Sequence, residues 1–128
     1  GNFPLSSEVN AITSGNGKKR TVCDLGNITR EHGIFEMIGA LEDADAHLLL
    51  AGPFGSKNLE NAARAMPGWS RVEYRGKVSR EELLDLMAQS QAGLVLFHPE
   101  PNHVDAQPNK MFKYMSACLP VLASDFPL

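Results

Sequence analysis

The sequence predicts an α/β fold in which helices cover both faces of a parallel sheet. Two observations carry this. From residue 20 onward, short β-like runs alternate with amphipathic ones: "RTVCDLG", "GIFEMIGAL", "AHLLLAG", "NLENAARAM", "RVEYRG", "REELLDLMAQS", "AGLVLFHP", "KMFKYMSAC" and "PVLASD". That alternation is what βαβ units winding a parallel sheet produce. In addition, "HLLLAG" and "GLVLF" are apolar at successive positions, as strands covered on both faces must be.

The elements follow in order. The first nineteen residues carry Pro4, several serines and "SGNGKK" and read as a linker, so the domain spans 20–128. "RTVCDLG" and "HLLLAG" are strands, each followed by an amphipathic run. "RVEYR" alternates in polarity and is expected at a sheet edge. Ser79, with Glu82 three residues on, forms a capping box ahead of Leu83, Leu84 and Met87 and fixes a helix start. "GLVLF" leads into a long polar loop, a helix beginning at Pro108 and a last strand, "PVLASD". No closing helix follows "SDFPL", so the chain reads as cut at both ends. No fixed-period repeat or low-complexity segment occurs.

Bulk properties narrow the function. A chain of 128 residues that is 43% hydrophobic and 21% charged supports one domain with one real core. Its net charge of −3, from 12 basic and 15 acidic residues, leaves no basic stripe for nucleic acid, and "KKR" at 18–20 is too short to be one. No apolar run approaches the ~20 residues of a membrane span, and the N-terminus lacks the pattern of a signal peptide, which points to the cytoplasm. Cys23 and Cys118 lie in apolar runs without CxxC spacing and read as reduced core residues. Histidines 32, 47, 98 and 103 show no metal-ligand spacing, and His47 begins a buried strand. No G-x-S-x-G elbow, dinucleotide fingerprint or Walker loop occurs.

Ligands of open parallel sheets bind beyond the carboxyl ends of the strands, where strand order reverses. The loops at 26–33, 52–58, 76–80 and 98–110 are therefore the candidates. In the first, Gly26 permits a tight strand exit, Arg30 can reach an anion, and Gly33 lets the next helix pack close to the sheet. Pairing of Arg30 with Glu31 or with solvent is an equally open reading. In the last, Pro108 suits the first turn of a helix, leaving the amides of Asn109, Lys110 and Met111 directed out of the helix end toward an anion. Lys110 adds a mobile positive charge, and His103, Asp105 and Gln107 can meet hydroxyl groups. A sugar phosphate fits this set; so does a solvated loop before an ordinary helix, and the residues alone leave both open.

"QPNKMFKYMSACLPVLASDFPL" resembles the donor-site helix and following strand of family-4, GT-B-type glycosyltransferases, which read as a polar loop, N-K-x-F-E-Y-M, small residues and P-V-x-A-S. "LLLAG", "PGW", "YRGKVSREEL" and "GLVLF" are similar to the remaining layout, and "NFP" at 2–4 to the interdomain linker. The resemblance covers nearly the whole chain, with 107–125 its specific part. It implies one Rossmann-like half of a GT-B fold: the C-terminal, nucleotide-sugar-binding domain of an enzyme of polysaccharide biosynthesis. Such enzymes transfer a sugar from a nucleotide diphosphate sugar to a glycan or lipid-linked acceptor, with retention and without a metal or other cofactor.

The acceptor would be bound through an N-terminal domain this chain lacks, so the fragment alone is expected to be inactive. The full-length protein would be cytoplasmic, with the membrane surface open to it. The reading of the residues and the resemblance together assign catalytic roles to Arg30, Lys110 and Asp105. They assign donor binding to Gly26, Asn27, His32, Gly33, Val78, His103, Gln107, Pro108, Asn109, Met111 and Lys113; of all these the resemblance itself supplies Asp105, Lys113, Asn27, His32, the helix start near Pro108 and Val78, which would meet the base through its backbone. The chain departs from the family at Lys113, where an acid touches the ribose, and at Asn27 and His32, where an arginine and a lysine hold the diphosphate. An ammonium donates where a carboxylate accepts, so Lys113 reverses the polarity of that contact. These departures motivate the alternative of a non-catalytic binding or scaffolding module; a third reading is a sugar-nucleotide epimerase on the same architecture.

Overall fold

The computed structural model describes residues 5–7, 9, 20–97, 108–117 and 119–125. Five strands form one parallel sheet: β1 (Thr21–Leu25), β2 (His47–Ala51), β3 (Val72–Tyr74), β4 (Ala92–Phe97) and β5 (Val121–Asp125). Their spatial order is β3-β2-β1-β4-β5. The chain first winds outward from β1 to β3, then returns to lay β4 on the other side of β1, so strand order reverses between β1 and β4. The expected α/β class, a Rossmann-like parallel sheet with helices, is the one observed. "RVEYR" supplies an edge strand of three residues, as its alternation predicts.

Among the described residues, four α-helices connect the strands: α1 (Ile34–Asp43), α2 (Lys57–Arg64), α3 (Arg80–Ala88) and α4 (Pro108–Ser116). In α1 the buried residues Ile34, Met37, Ile38 and Leu41 recur at helical spacing and form one apolar stripe. In α2 the Ser56 hydroxyl accepts from the Leu59 amide at 3.1 Å, and in α3 Ser79 accepts from Glu82 at 3.1 Å. Each satisfies an amide that the helix leaves free. The second was legible in the sequence. α4 starts at Pro108, as expected.

Strand pleating divides the core between the two faces. Val22, Leu48, Leu50, Ala92 and Leu94 pack with α1, Ala63 of α2 and the 3-10 turn Pro67–Arg71. Cys23, Leu25, Leu49, Ala51 and Val95 pack with Leu86 and Met87 of α3 and Tyr114 of α4. Within the segment read as a linker, Val9 is 1% exposed and belongs to the first cluster, with Leu5 packed against that cluster, so this side chain is covered by the core. At the β3 edge, Phe54, Trp69 and Tyr74 stack with ring centroids 5.2–6.4 Å apart, and the Arg64 guanidinium lies 5.0 Å from the Trp69 ring centre. Among the described residues, no helix is long and apolar enough to cross a membrane.

Candidate functional site

The exits of β1 and β2 are zipped into one ledge. Gly26 leaves β1 with φ +115° and donates to the Ala51 carbonyl at 2.9 Å. Ile28 and Phe54 then form a parallel bridge, with Ile28 donating to Pro53 and Gly55 donating to Ile28, each at 2.9 Å. Within the first loop, His32 Nδ1 donates to the Asn27 carbonyl at 3.0 Å, and the His32 amide donates to Thr29 Oγ1 at 3.0 Å. The two positions where the resemblance expects cations are thus brought together and tie the loop to itself. Gly33 closes the first loop. It precedes α1 with φ +89°, a left-handed conformation that a side chain would strain, so backbone shape is one reason for glycine at this buried position.

Arg30 is exposed. Its guanidinium lies 5.0 Å from the centre of the Phe35 ring, and it lines a groove of about 330 Å³ with Thr29, Glu31, Ser56 and Asn58. Lys110 corrects the sequence reading. It is not a mobile charge: its side chain is 8% exposed and its ammonium donates to Asp24, whose side chain is 3% exposed. An ammonium sheltered from water needs such a partner, and the end of β1 supplies it. The lysine stem runs past Gly26, where a Cβ would stand 3.8 Å from Lys110 Cε. The structure therefore does not bring Arg30 and Lys110 together; one is stacked on Phe35 and the other is committed to Asp24.

Asp24 is the residue that sequence reasoning missed. The available signal was an acid within the apolar strand "TVCDL", since acids are almost never fully buried unless paired. Its neighbour Cys23 is a free thiol at 0% exposure, pushed up to about 12 by burial and, to a smaller degree, by Asp24. Burial and Asp24 likewise hold the Tyr114 phenol well above its ordinary value. Both groups stay protonated in the folded chain while their unfolded counterparts ionise, so the thiol contributes stability that is present below about pH 9 and is lost as pH rises toward 12, and the phenol contributes stability that begins to be lost as pH rises past its ordinary value of 10. Urea midpoints measured from pH 7 to 11 should fall above about pH 9, by up to about 1.4 kcal/mol per pH unit per group. Cys23→Ala should remove the thiol's share of that slope.

Val78 and Lys113 do meet. They line one groove of about 660 Å³ between α3 and α4, with Ser79, Arg80, Leu83 and Met87 as further walls. Its floor is apolar, and Lys113 and Arg80 are its exposed cations. His103, Asp105 and Gln107 lie outside the described residues, as do Cys118, His98 and the chain after Asp125. Pro108, Asn109 and Met111 belong to α4 by their backbone. Among the described residues, no three His, Cys, Asp or Glu side chains gather as a metal would require.

Comparison with known proteins returned no matching family model and no matching curated protein. Among solved structures the chain is similar to AviGT4, described as a glycosyltransferase involved in avilamycin A biosynthesis, with a TM-score of 0.70 and 21% sequence identity. The match covers 81% of this chain and 31% of that one, so the chain spans about a third of its structural neighbour. At that identity what is shared is the architecture, and the chain has the α/β, Rossmann-like fold found in a glycosyltransferase.

Proposed function

We propose that this chain is the donor-binding domain of a retaining, family-4 glycosyltransferase that moves a sugar from a nucleotide diphosphate sugar to a glycan or lipid-linked acceptor. The observation that supports it most is that α4 reaches the β1 exit at the reversal of strand order, Lys110 of its first turn running past Gly26 to Asp24, which is where open parallel sheets take their ligands. Negative charge grows on the leaving diphosphate as the glycosidic bond breaks. In this reading the first-turn amides of α4, at Asn109, Lys110 and Met111, stabilise it, since free N–H groups at a helix start favour an anion. With Lys110 tied to Asp24, main-chain donors carry more of that task, and Arg30 supplies the mobile positive charge. Asp105 accepts from a donor-sugar hydroxyl, His103 and Gln107 flank it, and the base meets the backbone at Val78. Neither metal nor cofactor has a part, and the full-length enzyme works in the cytoplasm or at its membrane surface.

Thermal unfolding with UDP and GDP tests this. A ligand that binds only the folded state at about a hundredfold excess over its dissociation constant adds about 2.7 kcal/mol, which raises Tm by several degrees. A folded protein whose Tm stays put at millimolar UDP and GDP would defeat the proposal. A second reading, a non-catalytic binding or scaffolding module, is favoured by the neutralised Lys110 and by Lys113 in the groove. Lys113→Glu separates the two. Nucleotide binding created where the native chain has none supports the module; binding abolished makes Lys113 part of a working site.

A further inference from the structure

The sheet splits where strand order reverses. β1 pairs with β2 as far as Leu25↔Ala51, yet it pairs with β4 only at Val22↔Ala92 and Cys23↔Gly93, although β4 continues to Phe97. Beyond that register the strands fork, and main-chain groups that a ladder would have paired face a gap. α4 fills this gap with two side chains one helical turn apart, Lys110 and Tyr114.

Tyr114 is completely buried. Its hydroxyl oxygen lies 3.3 Å from the Leu25 amide, from which it accepts. It also lies 3.3 Å from the Leu94 carbonyl and 3.4 Å from that of Cys23, one of which receives its single proton. The phenol thus stands in for the missing ladder, within hydrogen-bond distance of groups on both strands of the fork. Gly93 makes room for the ring: a Cβ there would lie 2.5 Å from three ring carbons. One turn nearer the helix start, Lys110 donates to Asp24. By the pleat Asp24 shares the face of Val22, while Tyr114 packs on the face of Cys23, so the ion pair bridges both faces at the fork. Of the described side chains of α4, these two are the buried ones; Lys113, Met115 and Ser116 are exposed. The helix is held at its first two turns by polar contacts aimed into the split.

We infer that Tyr114 is a positioning residue: wedged between β1 and β4 beside the Lys110–Asp24 pair, it fixes where the first turn of α4 stands over the β1 exit. The inference rests on the proposed function, in which that turn grips a nucleoside diphosphate. Phenylalanine at 114 keeps the ring over Gly93 and removes only the hydroxyl, leaving the Leu25 amide and one carbonyl without their partner. A tyrosine that merely filled space would lose nothing specific.

The test compares the native protein with Tyr114→Phe for binding of UDP and GDP by calorimetry, and of uridine and guanosine by NMR titration. Urea unfolding of both proteins gives the folded fraction. The diphosphates should bind about five- to tenfold more weakly to the variant, the effect of one lost hydrogen bond, while the nucleosides, which reach only the Val78–Lys113 groove, are unchanged. Equal losses for both ligand classes, or none for either, overturn the inference and leave the proposed function standing. If the native protein binds neither diphosphate, the proposed function falls, and amide exchange decides the anchoring role. Faster exchange at Phe112 to Tyr114 with β1 and β4 unaltered upholds it, and unchanged exchange overturns it.

Discussion

Gly52→Ala should cost about 4 kcal/mol or more, a large part of the 5–15 kcal/mol that a domain of this kind possesses. Gly52 has φ +133°, and an alanine Cβ there would stand 1.8 Å from the Gly26 carbonyl oxygen and 2.6 Å from its carbon. Both are backbone atoms of the β1 exit, so no flexible chain can step aside. The residue cannot slide either: its amide donates to Gly76 at 2.7 Å, and its carbonyl accepts from the Tyr74 hydroxyl at 2.8 Å. A strained backbone region costs about 1–3 kcal/mol, and forcing extra volume into a packed site costs about 1–3 more. Gly76→Ala is the control. Gly76 has φ +66° with open space around its missing Cβ, so only the left-handed penalty of about 1–2 kcal/mol applies. Urea titrations giving equal losses for the two variants would sink the steric account.

Lys110→Met is expected to lose about 3–5 kcal/mol, because it leaves the Asp24 carboxylate buried and alone. The side chains are only 8% and 3% exposed, so solvent cannot take over the role of the missing ammonium. Asp24→Leu combined with Lys110→Met should recover most of that loss, since replacing a whole buried pair by apolar chains is often neutral. The two single variants and the double form a cycle whose coupling energy reports the pair. A single-variant loss below about 1 kcal/mol would mean that water or another group reaches Asp24.

The parts of this fold that local pattern governs were readable in advance. Unbroken apolar runs mark β2 and β4 because both faces of those strands are covered; alternation marks β3 because it lies at the edge. Ser79 with Glu82, and Pro108, mark helix starts because the amide that the serine satisfies and the amide proton that the proline lacks both belong to the first turn. What escaped depends on contacts between segments far apart in the chain. Asp24 and Lys110 are separated by 86 residues, and nothing beside either one announces the other. The same holds for Val9, buried in the first core cluster, and for Gly52, whose need for hydrogen in place of a side chain arises from the backbone of Gly26. Of the candidate site, the loops and the α4 start were legible as positions. The state of the lysine was not, because burial is a property of the packed sheet.

The aromatic cluster at the β3 edge gives the molecule a built-in optical reporter. Trp69 is the sole tryptophan of the chain, and its ring centre lies 6.4 Å from that of Phe54, whose backbone bridges to Ile28 in the first loop. Intrinsic emission excited at the indole therefore originates beside Phe54, a residue of the ledge that joins the strand exits. Any rearrangement of those exits is wired to a fluorescence signal that needs no added dye.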